Sequence, residues 1–223
     1  VRYLVENFDD VLELARTHLY LSLVPLFIGL LIAIPVGAAI RSVRWLRRGT
    51  LLAASIAFTI PSLALFVILP PLLGIKVLDP LNVIVALTIY STALLVRAVP
   101  EALDAVPSDV VDSSIAMGFT RIRRALGVEL PLATPVLIAN IRVVAVTNIS
   151  LVSVGAVIGI GGLGKLFTQG YQRDYPSEIV AGIIAILTLA FVIDLTLFLF
   201  GRFLTPWTRG SRRAMFARAV GRR

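Results

Sequence analysis

The residues able to do chemistry in this 223-residue chain are few and scattered. His18 is the only histidine and cysteine is absent. Neither a histidine-based metal cluster nor a Ser-His-Asp set can therefore be assembled, and thiol chemistry and disulfides are excluded as well. A pair of catalytic acids within a bilayer is excluded too, because only Asp194 lies clearly inside an apolar segment. The glycines between Gly155 and Gly164 have no strand before them, so they form no phosphate-binding fingerprint, and the chain has no Walker-type loop. Two ionisable residues inside apolar segments remain, Arg142 and Asp194. Either charge alone in hydrocarbon is unfavourable by roughly 2.5–3.5 kcal/mol. At about 1.5 Å of rise per residue, Arg142 lies about 16 Å past Pro131 and Asp194 about 12 Å before Arg202. In antiparallel helices the two reach similar depth from the same side. A structural ion pair is the expected arrangement, in preference to a proton relay; snorkelling of Arg142, or bonds from it to carbonyls near the helix start, are the alternatives.

The elements that must position these residues are membrane helices. The chain is 58% hydrophobic and 15% charged, with a mean hydropathy of +0.94, which excludes a soluble globular domain. Five segments meet the roughly 20-residue requirement for a span: about Leu19–Ile40, Leu51–Leu73, Leu81–Val99, Leu132–Ile158 and Ile179–Leu204. The first begins too far into the chain and runs too long for a cleavable signal. Val1–Thr17 is a short amphipathic stretch suited to the interface. The expected division is an external segment over 1–18, one membrane domain over 19–204 and a basic tail over 205–223. The formal charge of +8 reads as basic loops and tail facing the cytoplasm, with no nucleic acid as partner. Arginines 41, 44, 47 and 48, then 97, 121, 123 and 124, then 202, 209, 212, 213, 218, 222 and 223 fall on one side. The other side has only Arg2, Arg16, Lys76, Lys165 and Arg173. The positive-inside rule places the N-terminus outside and the C-terminus in the cytoplasm.

Between the third and fourth spans lies a mostly polar island, Pro107 to Pro131, which reads as two short helices joined by a hinge. Pro107 and Ser108 open the first helix, and Asp109 and Asp112 suit its positive end. Val110, Val111, Ser114, Ile115 and Met117 give it an apolar flank. Gly118 is placed to end it in a left-handed conformation and Thr120 to cap the next helix. That helix has a basic start at Arg121, Arg123 and Arg124 and an apolar end at Leu126, Val128 and Leu130 before Pro131.

This island resembles the signature loop of permease subunits of ABC importers, whose pattern is Glu-Ala-Ala, three residues, Gly, nine residues, Ile-x-Leu-Pro. Gly118, Val128, Leu130 and Pro131 stand at those spacings, with Val for Ile, and the opening triplet departs to Asp112-Ser113-Ser114. Thr59-Ile60-Pro61-Ser62-Leu63-Ala64-Leu65 and the run Ile89 to Arg97 are similar to segments of permeases for glycine betaine, choline and related osmoprotectants. Methionine-type permeases share the wider architecture and fit Thr59–Leu65 less well. The resemblance, from about Leu19 to Leu204, implies an all-α polytopic subunit of the type I importer class, five helices with a coupling loop between the third and fourth.

What the resemblance implies for function follows residue by residue. Asp112, Ser113, Ser114, Met117, Gly118, Phe119, Leu130 and Pro131 would couple to an ATPase. The partners implied are two cytoplasmic ATPase subunits that carry ATP and magnesium, a second permease (identical or related) and an external substrate-binding protein; membrane lipid surrounds them. Thr59, Pro61 and Ser62, with Asn148, Ser150 and Ser153 of a polar run in the fourth span, are candidates for the solute path. The run's small residues serve equally well as glue between helices. Pro25 and Pro35 read as packing kinks. The glycine-rich turn with Gly161, Gly162 and Gly164 resembles that of osmoprotectant and methionine permeases. Together with Tyr171, Arg173 and Asp174 it is expected to face the binding protein. A structural membrane protein with no transport role explains the spans and leaves the loop unexplained.

Overall fold

The computed structural model describes residues 2–207, so the basic run Arg209–Arg223 lies outside the described residues. Those described form helices α1 (Arg2–Glu6), α2 (Phe8–Ile40), α3 (Arg44–Thr59), α4 (Ser62–Leu73), α5 (Pro80–Asp104) and α6 (Ser108–Ala116). The chain continues with α7 (Arg121–Arg124), a π-turn (Ala125–Glu129), α8 (Leu130–Gly155), α9 (Lys165–Gln172) and α10 (Pro176–Leu204), and no strand occurs among the described residues. Four helical stretches among the described residues are long and apolar enough to cross a membrane, and the bent pair α3 and α4 makes a fifth if it is counted as one span.

The central element is α5, two thirds of whose apolar window is buried inside the subunit. It packs mainly on α2. Hydrophobic burial gives little drive between helices in lipid, so close approach of backbones has to provide packing energy. Gly29, Ala33 and Gly37 supply it at a spacing of four along α2. A methyl at Gly29 would stand 2.7 Å from the Ser91 Cβ, and one at Gly37 2.6 Å from the Val99 Cβ. A polar node locks the crossing: the Asn148 amide of α8 donates to the Ser22 carbonyl of α2 (3.0 Å) and to the Ser91 hydroxyl of α5 (2.8 Å).

The structure corrects three expectations. The segment 1–18 is no separate unit, because α2 runs unbroken from Phe8 to Ile40 through both Pro25 and Pro35. The second span is two helices that meet at 100°. Proline disfavours the helical region for the residue before it, and Ile60 is extended (φ −61°, ψ 128°). The Tyr90 hydroxyl donates to the freed Ile60 carbonyl, and the Tyr90 ring meets Phe58 edge-on at 5.7 Å. Finally, the second helix of the polar island does not stop at Pro131. It passes through the π-turn into α8, where Pro131 stands just after the Leu130 N–H that bonds back to the Ala125 carbonyl.

Candidate functional site

At one end of the bundle the 107–131 segment closes on itself and on the helix ends beside it. Met117 and Gly118 end α6 in a Schellman arrangement: Gly118 N–H donates to the Ile115 carbonyl (2.9 Å) and Phe119 N–H to that of Ser114 (3.1 Å). Gly118 has φ 79°, in the left-handed region. The Thr120 hydroxyl accepts from Arg123 N–H at 3.4 Å and caps α7, and the Arg123 guanidinium lies 4.9 Å over the Phe119 ring.

The flank of α6 divides in two. Val111 packs with Leu130 against a cluster of Val99, Ala102, Leu103, Val106, Ala133 and Leu137. Ser114 is buried and its hydroxyl donates to the Val111 carbonyl (2.6 Å). Ile115 and Met117 instead face outward, with Ile122 and Leu126, so the outer surface of the loop carries four exposed apolar side chains. Asp112 and Ser113 are exposed beside them, and the Ser113 hydroxyl turns back to the Asp109 carbonyl.

Sequence reasoning missed the group that anchors this loop. Glu129 closes the π-turn with its side chain only 6% exposed, between Arg124 (Nε to Oε1, 2.7 Å) and Arg41 (Nη1 to Oε2). All three nitrogens of Arg41 are used: Nε donates to Asp104 (2.8 Å), Nη1 to Glu129 and Nη2 to the Leu103 carbonyl (2.9 Å). Arg47 pairs with the second oxygen of Asp104 at 2.8 Å. Burial lowers the proton affinity of Arg41, and its bonds to Asp104 and Glu129 more than offset this, leaving it raised. Arg41 and Glu129 stand 88 residues apart, and the only local signal was a charge at each helix end.

Within the spans, Arg142 and Asp194 meet as a two-bond fork, Nε to Oδ1 at 2.8 Å and Nη2 to Oδ2 at 2.6 Å, and the guanidinium lies 5.1 Å from the Phe198 ring centre. Of the six residues proposed for a solute path, Asn148 is spent in the packing node and 1% exposed, so it lines no path through this subunit. Thr59, Pro61 and Ser150 are exposed, and Ser62 and Ser153 half-buried. The Thr59 hydroxyl is turned to the Ser55 carbonyl (2.8 Å). Thr59, Pro61 and Ser62 cluster at the bend.

A family model described as "Binding-protein-dependent transport system inner membrane component" matches residues 26–210. The chain is also 33% identical over 208 residues to the osmoprotectant import permease protein OsmW of Salmonella typhimurium, covering 92% of this chain and 97% of that one. The chain belongs to this family of inner-membrane transport components. It is a multi-pass membrane protein and a permease subunit, similar to those of osmoprotectant importers. The choline transport system permease protein OpuBB of Bacillus subtilis is 32% identical over 207 residues, 92% of this chain and 94% of the relative. Among solved structures, the inward-facing MetNI methionine ABC transporter superposes with a TM-score of 0.77 at 26% identity, covering 86% of this chain and 94% of that one. An amino acid ABC transporter superposes at 0.71 with 15% identity, which speaks for the fold alone.

At the opposite end of this permease the glycine-rich turn departs from its expected role. Gly161, Gly162 and Gly164 are buried, so they offer no surface to a binding protein. A methyl at Gly162 would lie 2.5 Å from the His18 backbone nitrogen of α2, and one at Gly164 2.8 Å from the Ser153 carbonyl oxygen. The glycines let the turn lie flat on α2 and the end of α8. His18, fully buried there, bonds the Ile149 carbonyl through Nε2 at 2.8 Å and helps close that packing. Tyr171, Arg173 and Asp174 remain exposed at the end of α9, where Asp174 has φ 50°.

Proposed function

We propose that this permease forms, with a second permease subunit, the membrane path of an ATP-driven importer for a compatible solute of the glycine betaine or choline class. The observation that supports it most is the 107–131 loop: an ordered helix–glycine–helix unit, fixed from behind by an apolar cluster and buried ion pairs, with Ile115, Met117, Ile122 and Leu126 bare on its outer side. A polar loop that presents four apolar side chains is a docking surface for a protein. In this reading two cytoplasmic ATPase subunits take that surface, hydrolysis occurs on them, and their closure moves the loops to open the path outward. The loop end and C-terminus face the cytoplasm, and the N-terminus, α9 and the 171–174 corner face outside, where a separate binding protein delivers the solute. The solute class is supported by the relatives OsmW, an osmoprotectant import permease protein, and OpuBB, a choline transport system permease protein. A methionine or other amino-acid importer is the second reading, supported by the likeness to the methionine transporter.

Copurification of the chain with the products expressed alongside it, reconstitution into vesicles and uptake of labelled betaine, choline and methionine test this. ATP-dependent uptake of betaine or choline is expected. Uptake of methionine alone would favour the second reading, and a purified chain that associates with no ATPase would overturn the first.

A further inference from the structure

We infer that Glu129 is a positioning residue for coupling: clamped by Arg41 and Arg124, it makes the loop move as one body with the ends of α2 and α5. The inference rests on the proposed docking of that loop on an ATPase. Exposed ion pairs contribute little to stability, and the Arg97–Glu101 pair on the same helix α5, with both side chains more than half exposed, is of that kind. Glu129 differs, because its charge is buried and both carboxylate oxygens are taken by separate arginines from separate elements. A buried carboxylate that loses one partner is strongly destabilised in place, so the clamp resists being opened. Arg41 carries the tie onward: it follows the last residue of α2 and holds the Leu103 carbonyl and the Asp104 carboxylate at the end of α5. The same carbonyl end of α5 attracts a cation through the helix dipole. The loop is thus tied to the bundle both by the packing of Val111 and Leu130 on the apolar cluster and, through the π-turn and α7, by this clamp.

The π-turn gives the clamp its purpose. The Leu130 N–H reaches back five residues to the Ala125 carbonyl, which inserts a residue into the junction between α7 and α8 and leaves a place where the two can shift relative to each other. With Glu129 clamped, a displacement of α6 and α7 is passed to α2 and α5 and not absorbed at the π-turn.

The test uses the reconstituted importer with its ATPase and binding-protein partners, in wild-type form and with Glu129→Gln or Arg124→Gln. Solute moved per ATP hydrolysed is measured together with the amount of assembled complex. A nitroxide on Ser113→Cys, introduced into a chain with no cysteine of its own, reports loop mobility. Glu129→Gln is expected to lower the solute-per-ATP ratio by about ten-fold and to sharpen the nitroxide spectrum, with Arg124→Gln intermediate in both. A purely structural role would instead lower transport and hydrolysis in step with the amount of assembled complex, at an unchanged ratio, and that result would overturn the inference. So would failed assembly of Glu129→Gln together with an unchanged ratio in Arg124→Gln. If the wild-type complex itself shows no ATP-coupled uptake, the underlying functional reading fails before the clamp is at issue.

Discussion

Gly118 separates backbone strain from crowding at the scale of one residue. No heavy atom lies within 4 Å of where its side chain would begin, yet its φ is 79°. A substitution there is opposed by conformation alone, at about 1–2 kcal/mol for a residue forced into the left-handed region. Gly118→Val is therefore expected to uncouple hydrolysis from transport while the chain still inserts, and Gly118→Asn, which tolerates that region, to keep most of the coupling. Equal coupling in the two variants and the wild type would show that the hinge geometry is irrelevant. Arg142 and Asp194 give the second residue-level test, because each satisfies the other in the apolar span between α8 and α10. Arg142→Gln and Asp194→Asn should each lower stability in detergent, by up to roughly 2.5–3.5 kcal/mol. The double change should recover part of that loss, whereas strictly additive losses would mean that the pair contributes no coupling.

Helices, spans and the hinge were legible in the sequence because each rests on a local signal: apolar runs of span length, a Gly at a helix end, a Thr before a helix start. The 100° turn at Pro61 was legible only as a special proline. The Ile60 carbonyl freed there is taken by Tyr90, a contact across 30 residues. For the same reason Glu129 escaped notice, since its value lies in an arginine 88 residues away. The glycine-rich turn shows the opposite failure: its composition was plain, but density of glycine does not say whether the backbone is bare or pressed against another helix. Packing decides it here. Gly162→Ala should destabilise the permease by about 1–3 kcal/mol through overpacking against α2, measured by thermal unfolding, and a neutral result would mean the turn is free to lift away. By contrast Asp174→Lys, at the exposed corner after α9, should alter stimulation of hydrolysis by the loaded binding protein with little change in stability, whereas Arg173→Glu should lower stability too, because Arg173 is the cation 3.9 Å from the fully buried Glu178 carboxylate. Cross-links from the binding protein confined to the 76–79 turn would move its footprint elsewhere.

At the scale of the whole molecule, one subunit leaves much apolar surface uncovered: none of the most apolar stretch of α10 is buried within the chain. Lipid and a second permease are the expected covers. The charge of the chain is divided as well as its apolar surface, with most arginines toward the loop end and only Arg2, Arg16 and Arg173 toward the α9 end. The importer account therefore fixes which end meets which partner, and the absence of cysteine lets a single introduced thiol ask the question at either end. Met117, 69% exposed on the loop, and Tyr171, 83% exposed after α9, are the positions to use. In the assembled complex, Met117→Cys should cross-link to the ATPase subunit and resist a membrane-impermeant thiol reagent added outside intact cells. Tyr171→Cys should be labelled by that reagent and cross-link to the binding protein. Labelling of Met117→Cys from outside, with no cross-link to an ATPase, would contradict the account.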